Sequence, residues 1–244
     1  MTWHTGALCA IDAETTGVDI ESDRIVTWSR WTIDPAQGKK VHSGWLINPG
    51  IDIPDEAAAI HGITTEHAQA RGQHPASAVR EIAGDLLHWA EQGAVTVAYN
   101  APFDLSLLHR ECLRYGHHRE AAGIAAIRPV VDPLVLDKAV DKYRKGSRKL
   151  VDAARHYGID LAEEDAHGSA ADSLAAARVA YVIASRYDHI GRMPVADLHG
   201  MQVEWKRDQA AGLERWLRKN DPAATVARDW PFIPAPAVVQ EQIR

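Results

Sequence analysis

The chain has 244 residues, enough for one large domain or two small ones, and its 46% hydrophobic and 25% charged residues suit a globular protein that buries its core without disulfides. Lys and Arg number 27 against 33 Asp and Glu, so the net charge of −6 excludes a polybasic protein that holds nucleic acid by bulk charge, but not a local basic groove. No apolar run approaches the ~20 residues that span a bilayer, and Met1-Thr2-Trp3-His4 lacks the basic and apolar regions of a signal peptide. The two cysteines, Cys9 and Cys112, read as small buried hydrophobes rather than a disulfide, and the expected setting is the reducing cytoplasm.

The first element is a short apolar run, Leu8 to Ile11, ending in Asp12-Ala13-Glu14-Thr15-Thr16-Gly17, which predicts a buried strand. Arg24 to Ile33, rich in Ile, Val, Thr and Trp, and Val41 to Ile47 predict two more strands in a meander. A short helix opens at Pro54 and stops near His61-Gly62, and an amphipathic helix runs from Ser77 to Glu91. Ala94 to Tyr99 predicts a fourth strand, and Asn100-Ala101-Pro102 starts a helix to about Tyr115, with Gly116 as its stop. Pro129 to Asp132 is the fifth strand. Helices are then expected over Pro133 to Val140, Ser147 to Tyr157 and Ser169 to Tyr187. A long helix from Pro194 to about Asn220 places Leu198, Met201, Trp205 and Trp216 on one face as packing residues, and a proline-containing tail follows Trp230. The pattern predicts an α/β mixed sheet flanked by helices over residues 1–190, with a helical extension and irregular tail over 191–244.

Strand alternation points Asp12 and Glu14 to one face, and crowded carboxylates of this kind suit Mg²⁺ or Mn²⁺. Taken alone, Asp-x-Glu is common and reads first as a solvated acid pair at a loop edge. Asp104 falls in the first turn of its helix, where the dipole already favours a carboxylate; it would also be a third acid at a strand's carboxyl end. Ser169 and Asp172 have capping-box spacing, which offers Asp172 a structural role. His167 precedes that helix in a glycine-containing loop, from which it can converge with Asp172. The basic run Lys138 to Lys149 reads, in isolation, as a solvated connection.

In combination these signals are specific. Asp12-Ala13-Glu14-Thr15-Thr16-Gly17, Ile60-His61-Gly62-Ile63, Asn100-Ala101-Pro102-Phe103-Asp104 and His167 to Asp172 occur in the order of one family. Over residues 6–187 the chain resembles the DEDDh, or DnaQ-like, 3′→5′ exonucleases, which include the epsilon proofreading subunit of the bacterial replicative DNA polymerase and RNase T. The resemblance implies a ribonuclease H-like fold, a five-stranded mixed sheet with flanking helices. It also implies two divalent ions, Mg²⁺ or Mn²⁺. In that scheme Asp12 bridges the ions, Glu14 and Asp172 complete the first, Asp104 supports the second, and His167 is the general base. Thr15, Thr16 and Gly17 would receive the terminal nucleotide, with Ile60, His61, Asn100 and Phe103 flanking it.

The expected reaction is hydrolysis of phosphodiesters at DNA 3′ ends, releasing nucleoside 5′-monophosphates in proofreading or repair. The alternatives are a 3′→5′ exoribonuclease of the same family, a non-catalytic nucleic-acid-binding scaffold, and a phosphatase, which lacks a matching motif. The expected partners are a single-stranded or frayed 3′ end and, through the C-terminal helix, a polymerase or a second copy; no membrane is expected. In this context the basic run could guide the strand toward the ions.

Overall fold

Four successive apolar residues, Leu8 to Ile11, are satisfied only where both faces of a strand are covered, and all four are buried in the central strand of the sheet. In the computed structural model, which describes residues 2–160 and 168–236, a 3₁₀ turn at Trp3–Thr5 leads into β1 (Leu8–Thr15). β2 (Ile25–Asp34) and β3 (Lys39–Leu46) complete an antiparallel meander. Three helices, α1 (Asp55–His61), α2 (Thr65–Arg71) and α3 (Pro75–Glu91), precede β4 (Val95–Val97). Next come α4 (Ala101–Arg114), α5 (His118–Ala125) and β5 (Val130–Val131). The chain continues through α6 (Pro133–Val140), α7 (Leu150–His156), α8 (Ser169–Arg186), α9 (Asp188–Gly191) and α10 (Val195–Leu217). The sheet order is β3-β2-β1-β4-β5, with β1, β4 and β5 parallel. This is the predicted five-stranded mixed sheet flanked by helices.

Alternation along β1 sorts its residues between two cores. Cys9 and Ile11 pack with Val79, Ile82, Leu105 and Leu108 from α3 and α4. Leu8 and Ala10 pack on the other side with Ala176, Val179 and Ala180 of α8. Asp12 and Glu14 continue the Leu8 and Ala10 face, so the strand's period of two turns them toward α8. Both cysteines are buried and free, as expected.

The outer edges of the sheet are handled differently. β3 exposes Lys39 and Lys40, charges that discourage pairing with another strand. β5 has only two residues, and α10 stands in for the strand missing beside it. The Val130 N–H donates to His199 Nδ1 at 3.1 Å and the Asp132 N–H to Gln202 Oε1 at 2.8 Å. Gln202 Nε2 donates in turn to the Val130 carbonyl at 3.1 Å. Burial pushes the His199 pKa down, which suits a neutral ring that accepts a hydrogen bond. The chain beyond α10 returns to the same core: Trp230 Nε1 donates to Asp132 Oδ2 at 3.3 Å, and the Ile233 N–H to Ser106 Oγ at 2.8 Å.

Three details depart from the sequence reading. α2, α5 and the four-residue α9 form where no helix was expected. α2 buries only Ala68, so no apolar period announces it, although Thr64 caps it by accepting the His67 N–H. α8 is capped by Gly168, not Ser169, so the capping box does not form; the Asp172 N–H bonds the Gly168 carbonyl. Trp216 is 58% exposed, and Met201 is exposed as well. The buried stripe of α10 turns from Leu198 and Gln202 toward Ala210 and Glu214, leaving Trp216 outside it.

Replacing Gln202 by Leu removes two buried bonds to β5 and leaves the Asp132 N–H unsatisfied. We expect a loss of about 1–3 kcal/mol in urea unfolding. Trp216→Ala should change stability by less than about 0.5 kcal/mol. Equal losses would contradict the role assigned to Gln202.

Candidate active site

The site forms where β1 runs out against the start of α8. Carboxylate oxygens of Asp12, Glu14 and Asp172 lie within 4.8 Å of one another, and all three residues are half-buried. The first turn of α8 is pinned to β2 by side chains. Trp31 Nε1 donates to the Ala170 carbonyl at 2.7 Å, and the Ser169 and Thr27 hydroxyls are 3.1 Å apart. Ser173 Oγ donates to the Ser169 carbonyl at 2.6 Å. These bonds fix the first turn of α8, from which Asp172 reaches Asp12 and Glu14 on the strand.

Asp104 comes from a different direction. Pro102 and the left-handed backbone of Asn100, with φ 66°, start α4 directly after the fourth strand. Asp104, 3% exposed, then accepts the Ala13 N–H at Oδ1, 3.1 Å away. The bond ties it to β1 between Asp12 and Glu14. Asp132, which the sequence reading missed, fixes the same turn by accepting the N–H groups of Asn100 at 3.0 Å and Ala101 at 3.1 Å. Its signal was present: an Asp before Pro133 at a strand's end caps the next helix, and here it accepts the Leu134 N–H.

The electrostatics follow from crowding in a poorly hydrated place. Burial first, then Asp104, Asp172 and Glu14, push the Asp12 carboxyl well above the usual carboxylate range. Burial and Asp172 push Glu14 up to about 7. Burial pushes Asp104 up to about 8; its own backbone N–H and that of Ala13 oppose the rise, while Asp132 and Glu14 add to it. Metal-free, such a group is stable only by sharing protons. A divalent cation removes the conflict, and hard oxygen donors are what Mg²⁺ and Mn²⁺ take.

The remaining sequence-derived residues fall into distinct settings. Thr15 Oγ1 donates to the Gly17 carbonyl at 2.6 Å. Thr16 is buried and builds the turn: its hydroxyl donates to Asp23 Oδ1 at 2.7 Å and accepts the Arg24 N–H at 3.0 Å. Gly17 leaves room for Asp23, whose Oδ2 would lie 2.5 Å from any added Cβ. His61 Nδ1 accepts the Ile63 N–H at 3.2 Å; burial lowers the ring's pKa, and the Thr15 backbone counters it. Ile60 is 64% exposed. Asn100 and Phe103 line one cavity with Val18 and Asp19, just past Gly17. His167 lies outside the described residues, immediately before the Gly168 cap of α8.

The raised carboxyls set a pH dependence with a definite sign. Unfolded carboxyls titrate near pH ~4, so between there and the folded values the native metal-free state binds more protons. Its stability must fall as pH rises through about 7 for Glu14 and about 8 for Asp104. Thermal melts without metal should therefore show Tm dropping from about pH 6.5 to 8. Asp12→Asn should flatten that drop. A Tm that rises over this interval would contradict the assignment.

Residues 9–180 match the Exonuclease family. A DNA polymerase III subunit epsilon-like protein of Rhodobacter capsulatus is 34% identical over 171 residues, which are 68% of this chain but 22% of that protein. The DNA polymerase III subunit epsilon of Rickettsia prowazekii is 28% identical over 171 residues, 69% of this chain and 70% of that one. The solved complex of Escherichia coli exonuclease I with single-stranded DNA, in a zinc-bound form, shares the fold with a TM-score of 0.64 at 20% identity. That likeness covers 75% of this chain and 42% of exonuclease I. With its acidic cluster in the order and places described, the chain belongs to the DnaQ-like exonuclease family.

Proposed function

We propose that the protein is a metal-dependent 3′→5′ exonuclease that hydrolyses phosphodiesters at DNA 3′ ends and releases nucleoside 5′-monophosphates. The observation that carries this reading is the convergence of Asp12, Glu14 and Asp172, far apart in sequence, on one point, with Asp104 bonded to the strand between the first two. The R. capsulatus and R. prowazekii relatives are named for DNA polymerase III epsilon, and the solved exonuclease I complex holds single-stranded DNA, which supports DNA as the substrate and proofreading or repair as the setting.

The donor set fits two divalent ions of the Mg²⁺ class. Asp12, Glu14 and Asp172 would hold one, and Asp12 with Asp104 the other. When bound, the ions lower the pKa of the attacking water and offset the charge that develops on the leaving oxygen. His167 takes the water's proton; a neutral imidazole with a reference pKa of ~6.5 is matched to that task. The Thr15–Gly17 turn positions the terminal sugar, and Phe103 and His61 flank its base, a contact that tolerates any sequence. Ile60, exposed on α1, extends that apolar surface. Contact with a polymerase or a second copy falls, in this reading, to the exposed Leu213 and Trp216 on α10. Free buried thiols suit a reducing cytoplasm, and among the described residues no helix is long and apolar enough to cross a membrane.

The test uses a 5′-labelled single-stranded DNA and an RNA of the same sequence, each with Mg²⁺ and with Mn²⁺. We expect stepwise shortening of the DNA from its 3′ end with nucleoside monophosphate released. Asp12→Ala should abolish turnover, and His167→Ala should lower kcat by about 10²–10⁴. Faster loss of the RNA would reassign the substrate. Release of inorganic phosphate, or no shortening with either metal, would overturn the proposal.

A further inference from the structure

The net charge of −6 hides a strongly uneven distribution around α10. A cavity of 560 Å³ lies between α10 and the basic connection that follows α6. Its wall carries six cations, Lys138, Lys142, Arg144, Arg148, Lys206 and Arg215, against one acid, Asp208. Arg144 and Arg148 both donate to Asp137 Oδ2 at 2.7 Å, so one carboxylate there serves two guanidinium groups. Arg144 Nε is buried and has no hydrogen-bond partner among the described residues.

Lys138 and Lys206 both line this space. Burial, followed by the charge of Lys206, pushes the Lys138 pKa down, against the opposing pull of Asp132 and Asp137. Lys206 also lines the neighbouring 270 Å³ cavity, which contains Asn100 and Phe103 at the start of α4. One lysine thus joins the basic cavity to the turn that leads to Asp104. The smaller cavity has two acids of its own, Asp19 and Asp229, so the positive field is strongest on the α6 side.

We propose that the cavity between α6 and α10 binds the phosphodiester backbone of the substrate strand, several nucleotides from the end held at the acidic cluster. Lys138, Lys142 and Lys206 supply the charge. A strand anchored there enters past Lys206 and Phe103 toward Asp12. Such contacts read charge and not sequence. The inference rests on the exonuclease reading for the identity of the strand, and it predicts a dependence on substrate length that the acidic cluster alone does not produce.

The experiment compares the wild type with Lys138→Gln/Lys206→Gln and with a charge-matched control, Lys39→Gln/Lys219→Gln, both of whose sites are exposed. Anisotropy of a fluorescent thymidine oligonucleotide of about 20 nucleotides, in chelator so that it is not consumed, gives affinity against salt. We expect the cavity variant to bind on the order of tenfold more weakly, with a log–log salt slope shallower by about 1.4, and the control to match the wild type. With Mg²⁺ added, KM for the long strand should rise with little change in kcat, while hydrolysis of a dinucleotide, too short to reach the cavity between α6 and α10, falls by clearly less. Should the double variant fail to fold, the exposed single change Lys142→Gln should show a smaller loss of the same kind. Unchanged affinity and slope, an equal loss in the control, or an equal loss on the dinucleotide would overturn the proposal. Normal binding at the cavity by a wild type that shortens no strand would instead sustain this site and overturn the exonuclease reading.

Discussion

Carboxylate repulsion is the constraint around which this molecule is arranged. Asp12, Glu14, Asp104 and Asp172 are driven together by a fold whose packing is decided elsewhere, on the apolar faces of β1, α4 and α8. Alone, such a cluster works against the folded state, since each member raises the free energy of ionising the others. The surrounding structure therefore has to be stiff. Trp31 and Thr27 clamp the start of α8, the Ala13 N–H holds Asp104, and Asp132 holds the turn before α4. None of these groups belongs to the acidic cluster except Asp104, and each limits how far a carboxylate can retreat.

α10 is tied into the same arrangement. Its Gln202 completes β5 in place of a strand, and one of the bonds it makes is to the N–H of Asp132. Asp132 in turn accepts the Asn100 and Ala101 N–H groups, so the helix after Gly191 bears indirectly on the turn that positions Asp104. The same helix presents Lys206 next to Phe103. Structural support and a positively charged approach to the acids thus come from one element.

Much of this was legible in the sequence, because it rests on short-range regularities. A buried apolar run followed by Asp-x-Glu gave both the central strand and the direction of its acids, since period two leaves no choice of face. Pro102 after Asn100 marked the start of α4 and put Asp104 in its first turn. Less legible were features that depend on partners distant in the chain. Gln202, one polar residue on a long helix, gives no sign that it will pair with a strand some 70 residues away. Ser169 and Asp172 had the spacing of a capping box, yet the Ser169 hydroxyl pairs with that of Thr27 on β2. Trp216 fell on the expected face of α10, but the buried stripe had turned away before reaching it. His167 was placed from sequence in the loop before α8, its role as general base came from the resemblance, and it lies outside the described residues.

The central claim, that the four acids form a divalent-cation site, is tested most directly by calorimetric titration of Mn²⁺ into the metal-free protein near neutral pH in two buffers of different ionisation enthalpy. Because Glu14 and Asp104 are held at about 7 and about 8, binding should be saturable and should release protons, and Asp12→Asn should abolish the tight phase. Mn²⁺ uptake without proton release, or uptake undiminished by loss of the Asp12 carboxylate, would contradict the account.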